Sequence, residues 1–325
     1  MPSRQLLVLF FLTIQNTALI LTTKYSHREG SAAYLASTVV ACSEVVKLSM
    51  SYVLLYSRDK KAAKSVLRDM TSDFYSLAVP SALYVVQNNL LFEAMRLLSP
   101  ALFTVCSQSK LFTSAIFSVL LLDVKPTRRQ VFSLILLACG MILVQNGERV
   151  SSSNELERTR FSATFRGVIT VFIASVISGF AGAYLERMYK TTLSDGMAVW
   201  YRNTQLALVS MPVAFLAVYV RDGHRLLPSG ILQGYNCVVI MIIILQAIGG
   251  LVVAVVLQYA TNLLKCFAIS ISICNCTIAT VLMGEGDDSS HWQLSFGVLM
   301  VIASTFMYVV HSPANVPLTK QRNPT

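Results

Sequence analysis

The sequence predicts an all-α polytopic membrane protein of ten transmembrane helices, arranged as two inverted five-helix repeats. Three observations predict it. Hydrophobic residues make up 54% of the 325 positions and charged residues only 13%, where a soluble domain carries about 25% charged. Apolar stretches of about 20 residues recur along the chain, and each is long enough to cross a hydrocarbon layer about 30 Å thick. The connections between them are short, and the longest, Gly147–Arg166, falls near the middle of the chain.

The spans read in order as Gln5–Thr23, Tyr34–Tyr56, Phe74–Leu97, Ala101–Leu122, Gln130–Asn146, Gly167–Arg187, Val199–Val220, Cys237–Tyr259, Leu263–Met283 and Trp292–His311. The first follows Arg4 and shows no small-residue cleavage site before Lys24, so it reads as a retained span rather than a removed signal. The second, fourth and ninth each contain a charge. Gly147–Arg166, with its serine run Ser151-Ser152-Ser153, divides the chain into a first half, 1–147, and a second, 165–312, followed by a cytosolic tail, 313–325. With five spans per half, the second half enters the membrane upside down. If both halves share a fold they form an inverted repeat, which places a binding site near the midplane.

Lysine and arginine placement sets the orientation. On the side of the N-terminus lie 14 of them, including Arg58, Lys60, Lys61, Lys64 and Arg68, against 9 on the opposite side. Both termini are therefore expected in the cytosol, and the acidic run Gly284–Asp288 in the lumen as a solvated loop. The net charge of +10 follows from this loop bias, because no basic stripe interleaves with aromatics as nucleic-acid binding would require.

Catalytic and metal signatures are missing. His27, His224, His291 and His311 lie at loops or span ends, without metal-ligand spacing. The seven cysteines lie in or beside apolar runs, which suits small apolar residues on helices rather than a disulfide framework. The sequon Asn275-Cys276-Thr277 lies mid-helix, where no glycan is expected. The chain contains no P-loop, and no cofactor is expected.

The chemistry lies in the charges inside the spans. A lysine at the bilayer centre costs about 3 kcal/mol on insertion scales. Lys110 stands mid-way along the fourth span with no acidic residue within four positions, so no local pair can satisfy it. Lys265 opens the ninth span, the counterpart of the fourth. Such lysines facing one cavity make an anion site, and phosphate or diphosphate fits them. Glu44 and Lys47 share one face of the second span, either as a self-neutralising pair or as part of the cavity wall. Gln87-Asn88-Asn89 places amides at mid-membrane, with Tyr84 one turn before Asn88. A ring and an amide on one face can stack on a base and hydrogen-bond it, or the amides can bond between helices. Asn203 is a further candidate. Ser178–Gly182 and Gly249-Gly250 are small-residue faces, suited first to helix packing and second to close approach of a ligand.

Several segments resemble the nucleotide-sugar transporters, in the branch that carries UDP-sugars and CMP-sialic acid. They are Tyr84–Asn89, Gln108-Ser109-Lys110, Ser178–Arg187, Arg202–Gln205, Gln233–Asn236, Gln246–Leu251 and Tyr259–Lys265. The resemblance implies a ten-helix drug/metabolite transporter fold in a Golgi or endoplasmic-reticulum membrane. It implies exchange of a nucleotide sugar for its nucleoside monophosphate. It assigns Tyr84, Asn88 and Asn203 to the nucleoside, Lys110 and Lys265 to phosphate, Gly179 and Gly182 to close approach of the nucleotide, and Glu44 and Lys47 to the sugar end. The chain departs from the branch at Phe103, Ser107, Ser109, Cys266 and Asn275. The small Ala207, where CMP-sialic acid members resemble a tyrosine site, leans towards UDP-sugars. The expected partners are thus a nucleotide sugar, a nucleoside monophosphate and the lipid bilayer, with no nucleic acid; monomer and homo-oligomer both stay open. The expected activity is UDP-N-acetylglucosamine or UDP-galactose exchange for UMP, with no enzymatic step. Alternatives are CMP-sialic acid exchange for CMP, a membrane-embedded glycosyl- or acyltransferase, and a carrier of another phosphorylated metabolite.

Overall fold

The computed structural model describes residues 2–28, 34–98, 103, 106–123, 126–146, 157–191, 197–282 and 291–310. Within some of these helices a few side chains, that of Asn88 among them, are not described. The described residues form helices and no strand. In chain order these are α1 (Pro2–Arg28), α2 (Ala36–Arg58), α3 (Lys60–Leu97), α4 (Ser109–Leu122), α5 (Arg128–Asn146), α6 (Glu157–Thr191), α7 (Met197–Ser229), α8 (Cys237–Tyr259), α9 (Asn262–Leu282) and α10 (His291–Val310). Among the described residues six segments are long and apolar enough to cross a membrane: Arg4–Thr23, Ala36–Arg58, Thr164–Thr191, Val199–Gly223, Cys237–Tyr259 and Asn262–Ala279. Ser109–Leu122 and Ser295–Val310 are shorter apolar helices. Large apolar side chains such as Leu7, Phe10, Leu216, Val220 and Phe306 point outward, as they do on surfaces solvated by lipid.

The chain forms two compact units, 1–85 with 188–260 and 86–187 with 261–325. Each takes helices from both halves of the sequence. In the first unit α2 packs against α7 and α8, and α1 against α8. Lipid tails are as apolar as leucine, so these contacts rest on close packing and polar links rather than on apolar area removed from water. Val39 packs with Val239, Ile242 and Ile243, and the small Ala41 lets α2 approach Ala214 and Val218. Gln15 donates to the Leu245 carbonyl at 2.8 Å.

The basic run after α2 reads in the sequence as a loop but is helical. Asp59 breaks α2 in an extended conformation. Its carboxylate then accepts the Lys61 and Ala62 N–H groups at 2.9 and 3.0 Å, an N-cap that starts α3 well before the apolar span. Ala63 and Val66 bury against Leu55 while Lys60, Lys61, Lys64 and Arg68 stay outside. Further along this segment, the Tyr201 hydroxyl donates to Asp69 at 2.7 Å and holds its carboxyl below the usual range.

In the second unit α10 packs on α5, with Gly140 against the Gly297 carbonyl, and α9 packs against α4, α5 and α10. Phe267 and Tyr308 bring α9 and α10 together with ring centroids 4.7 Å apart. One expectation is corrected here. Lys110 does not sit mid-way along an unbroken helix. Gln108 keeps right-handed helical angles (φ −65°, ψ −18°) after the helical Cys106 and Ser107, but the Leu111 N–H bonds its carbonyl at 3.0 Å, a tightened turn after which regular α4 starts at Ser109. Hydropathy reads a helix through this turn because the break leaves the composition apolar. The acidic run Gly284–Asp288 and most of the mid-chain loop lie outside the described residues.

Candidate functional site

Lys110 and Lys265 occupy the same kind of position. Each stands in the first turn of a helix, α4 and α9, and neither helix has an acidic residue in that turn. A cation there opposes the helix dipole, which favours negative charge at the N-terminus. The two helices pack against each other within one unit. Both lysines are half-buried, and among the described residues no carboxylate pairs with either. Two ammonium groups without a carboxylate among the described residues, in the first turns of two helices in contact, favour an anion.

One face of α6 fixes both starts. Ser175, Gly179, Gly182 and Glu186 recur at helical spacing. The Ser175 carbonyl accepts from Thr113, one turn after Lys110, at 2.7 Å. A Cβ on Gly179 would lie 2.7 Å from Thr113 Oγ1 and 2.8 Å from the Ser114 nitrogen; one on Gly182 would lie 2.4 Å from Asn262 Nδ2. The space beyond both glycines is therefore filled by α4 and α9. Glu186 is 1% exposed and accepts the Asn262 N–H at 2.7 Å. Thr261 accepts the Leu264 N–H at 3.2 Å.

In the first unit Lys47 donates to Glu44 at 2.6 Å, so the local ion pair is formed. Ser210 on α7 donates a short hydrogen bond to the same carboxylate. Gly250 lies against the lysine stem, where a Cβ would come within 2.7 Å of Cδ. The Tyr189 hydroxyl donates to Asn203 Oδ1 at 3.4 Å, and Asn203 Nδ2 is buried with no partner among the described residues. Tyr84 is half-buried; the Asn88 side chain lies outside the described residues. A separate groove of about 500 Å³ is lined by Leu7, Phe10, Phe11, Trp200 and Ile248. Its walls are apolar and do not suit an anion.

The structure therefore brings Lys110, Lys265, Gly179 and Gly182 together in one unit, and Glu44 and Lys47 with Ser210 in the other. Glu186, Asn262 and Ser210 join these groups without being candidates from the sequence alone. The signal for Glu186 was a carboxylate at the end of an apolar span.

Comparison with known proteins decides the family. The nucleotide-sugar transporter family matches residues 3–309. The chain belongs to the nucleotide-sugar transporter family. It is 36% identical to the UDP-N-acetylglucosamine/UDP-N-acetylgalactosamine transporter nstp-4 of Caenorhabditis elegans, over 96% of this chain and 95% of that one. It is 37% identical to the UDP-N-acetylglucosamine transporter of Rattus norvegicus, over 93% and 94%. The UDP-galactose transporter of Schizosaccharomyces pombe is 35% identical, over 93% and 86%. A solved crystal structure covering 95% of this chain and 97% of its own superposes with a TM-score of 0.72 at 12% identity, which shows the fold. Nucleotide-sugar transporters are carriers, so the transferase alternative falls away. This chain is a multi-pass membrane protein that moves nucleotide sugars.

Proposed function

We propose that this nucleotide-sugar transporter is an antiporter that takes a cytosolic UDP-sugar, UDP-N-acetylglucosamine or UDP-galactose, into the Golgi lumen in exchange for UMP. One observation carries the reading: two lysines with no carboxylate partner among the described residues stand in the first turns of two helices that pack against each other, in an apolar chain. They hold the phosphates. Tyr84, Asn88 and Asn203 hold the base, and the free Asn203 amide donor suits a carbonyl acceptor such as those of uracil. Gly179 and Gly182 serve the site through the helix approach they allow. Glu44 and Lys47 serve the sugar end. The relatives, transporters of UDP-N-acetylglucosamine or UDP-galactose, support a UDP-sugar, as does the small Ala207.

The fold reading that goes with it has ten spans in two inverted repeats, 1–147 and 165–312, both termini in the cytosol, and alternating access. UMP carries the base and a phosphate, so it satisfies the same groups on the return step. An empty site leaves the lysines without counter-charge, which disfavours an occluded empty state and enforces exchange. The test is uptake of labelled UDP-N-acetylglucosamine, UDP-galactose and CMP-sialic acid into proteoliposomes preloaded with UMP. UDP-sugar uptake dependent on UMP is expected. Equal uptake into unloaded vesicles contradicts exchange, and a preference for CMP-sialic acid contradicts the base assignment.

A further inference from the structure

We infer that Glu186 is a positioning residue for substrate phosphate, acting by fixing the start of α9 and so the place from which Lys265 reaches the anion. The inference rests on the reading that Lys265 binds phosphate. A carboxylate that is 1% exposed inside a membrane protein is costly unless it is satisfied. Glu186 accepts the Asn262 N–H at 2.7 Å, at the end of α9 where the helix dipole favours negative charge.

The geometry around it is closed. Gly182, one turn earlier on α6, leaves no room for a Cβ beside the Asn262 side chain. Thr261 caps the Leu264 N–H, and its carbonyl accepts the Lys265 N–H at 3.1 Å. Tyr308 on α10, 4% exposed, packs its ring against Phe267 of α9 with centroids 4.7 Å apart. The amides of residues 262, 264 and 265 are thus all held. Glu186 supplies a charged hold from another helix. The chain passes from one unit to the other at 187–188 and again at 260–261. Glu186 and Asn262 lie next to these two crossings, and both belong to the second unit. Because Glu186 already occupies the α9 N-terminus, phosphate is left to the lysine side chain rather than to the helix end.

The test is a double-mutant cycle on the full-length transporter, reading UMP affinity and melting temperature for wild type, K265Q, E186Q and E186Q/K265Q. Each single variant is expected to weaken UMP binding by on the order of tenfold, the scale of a lost charge-assisted bond, and the double by no more than the weaker single. E186D, which keeps the charge but withdraws it by one methylene, is expected to behave as E186Q and carries the test if E186Q does not yield folded protein. Losses that multiply in the double overturn the inference. So does a lowered melting temperature with unchanged UMP affinity, which would make Glu186 only a stabiliser of α9. Full UMP affinity in K265Q would instead remove the phosphate assignment on which the inference stands.

Discussion

Substituting Gly179 by alanine tests whether α6 is the platform for the lysine-bearing helices. The added Cβ would lie 2.7 Å from Thr113 Oγ1 and 2.8 Å from both Thr113 C and Ser114 N, where ordinary contact begins at 3.4 Å. Two of these neighbours are backbone atoms, so no side-chain rotation relieves the overlap. The helices must part by several tenths of an ångström. Overpacking of this kind costs about 1–3 kcal/mol. Parting the helices also stretches the 2.7 Å bond from Thr113 to the Ser175 carbonyl, which adds about 1 kcal/mol. The same hydroxyl lies 3.1 Å from the Lys110 carbonyl, which shares its one proton, so the strain reaches the lysine's own turn. If about 1.4 kcal/mol of it falls on the binding-competent arrangement, UMP affinity drops about tenfold. The control is Gly223→Ala, where the nearest atom, on Tyr219, is 3.7 Å away and alanine favours the helix by up to about 1 kcal/mol. Scanning fluorimetry with and without UMP reads both quantities. G179A should melt lower and bind more weakly than wild type, and G223A should do neither. A G179A protein as stable and as tight-binding as G223A would refute the platform.

Two other outcomes follow from the charges. UMP affinity should fall several-fold between low salt and 1 M, as the Debye length shrinks from about 30 Å at 0.01 M to about 3 Å; calorimetry across ionic strength checks this, and a flat profile contradicts lysine binding. E44Q should destabilise the protein by roughly 1–3 kcal/mol, between the values for exposed and buried pairs, because the Lys47 and Glu44 side chains are only 12% and 19% exposed. Thermal unfolding of E44Q/K47Q should recover part of that loss.

Much of this was legible in the letters, and the reasons are specific. The second, sixth, seventh, eighth and ninth spans stand out because their apolar runs approach or exceed the bilayer thickness. Lys110 and Lys265 stand out because a lysine in such a run lacks any local partner. The Glu44–Lys47 pair follows from a spacing of three on a helix. The turn at Gln108 was hidden because it changes hydrogen bonding without changing hydropathy. The bond between Glu186 and Asn262 joins residues 76 apart, and helix periodicity carries no information at that distance. The helical start of α3 was missed because exposed lysines read as a loop, although Asp59 supplies a cap and Ala63 and Val66 an apolar stripe. The two units divide the chain at 85–86, 187–188 and 260–261, within or beside helices and away from the polar mid-chain loop.

The lysines are the centre of the account, and the affinity of purified K110Q and K265Q for UMP tests them most directly. Each substitution should weaken binding by about tenfold or more, the scale of a lost charge-assisted contact, while the folded protein persists. Wild-type affinity in both variants would mean that the phosphates are held elsewhere.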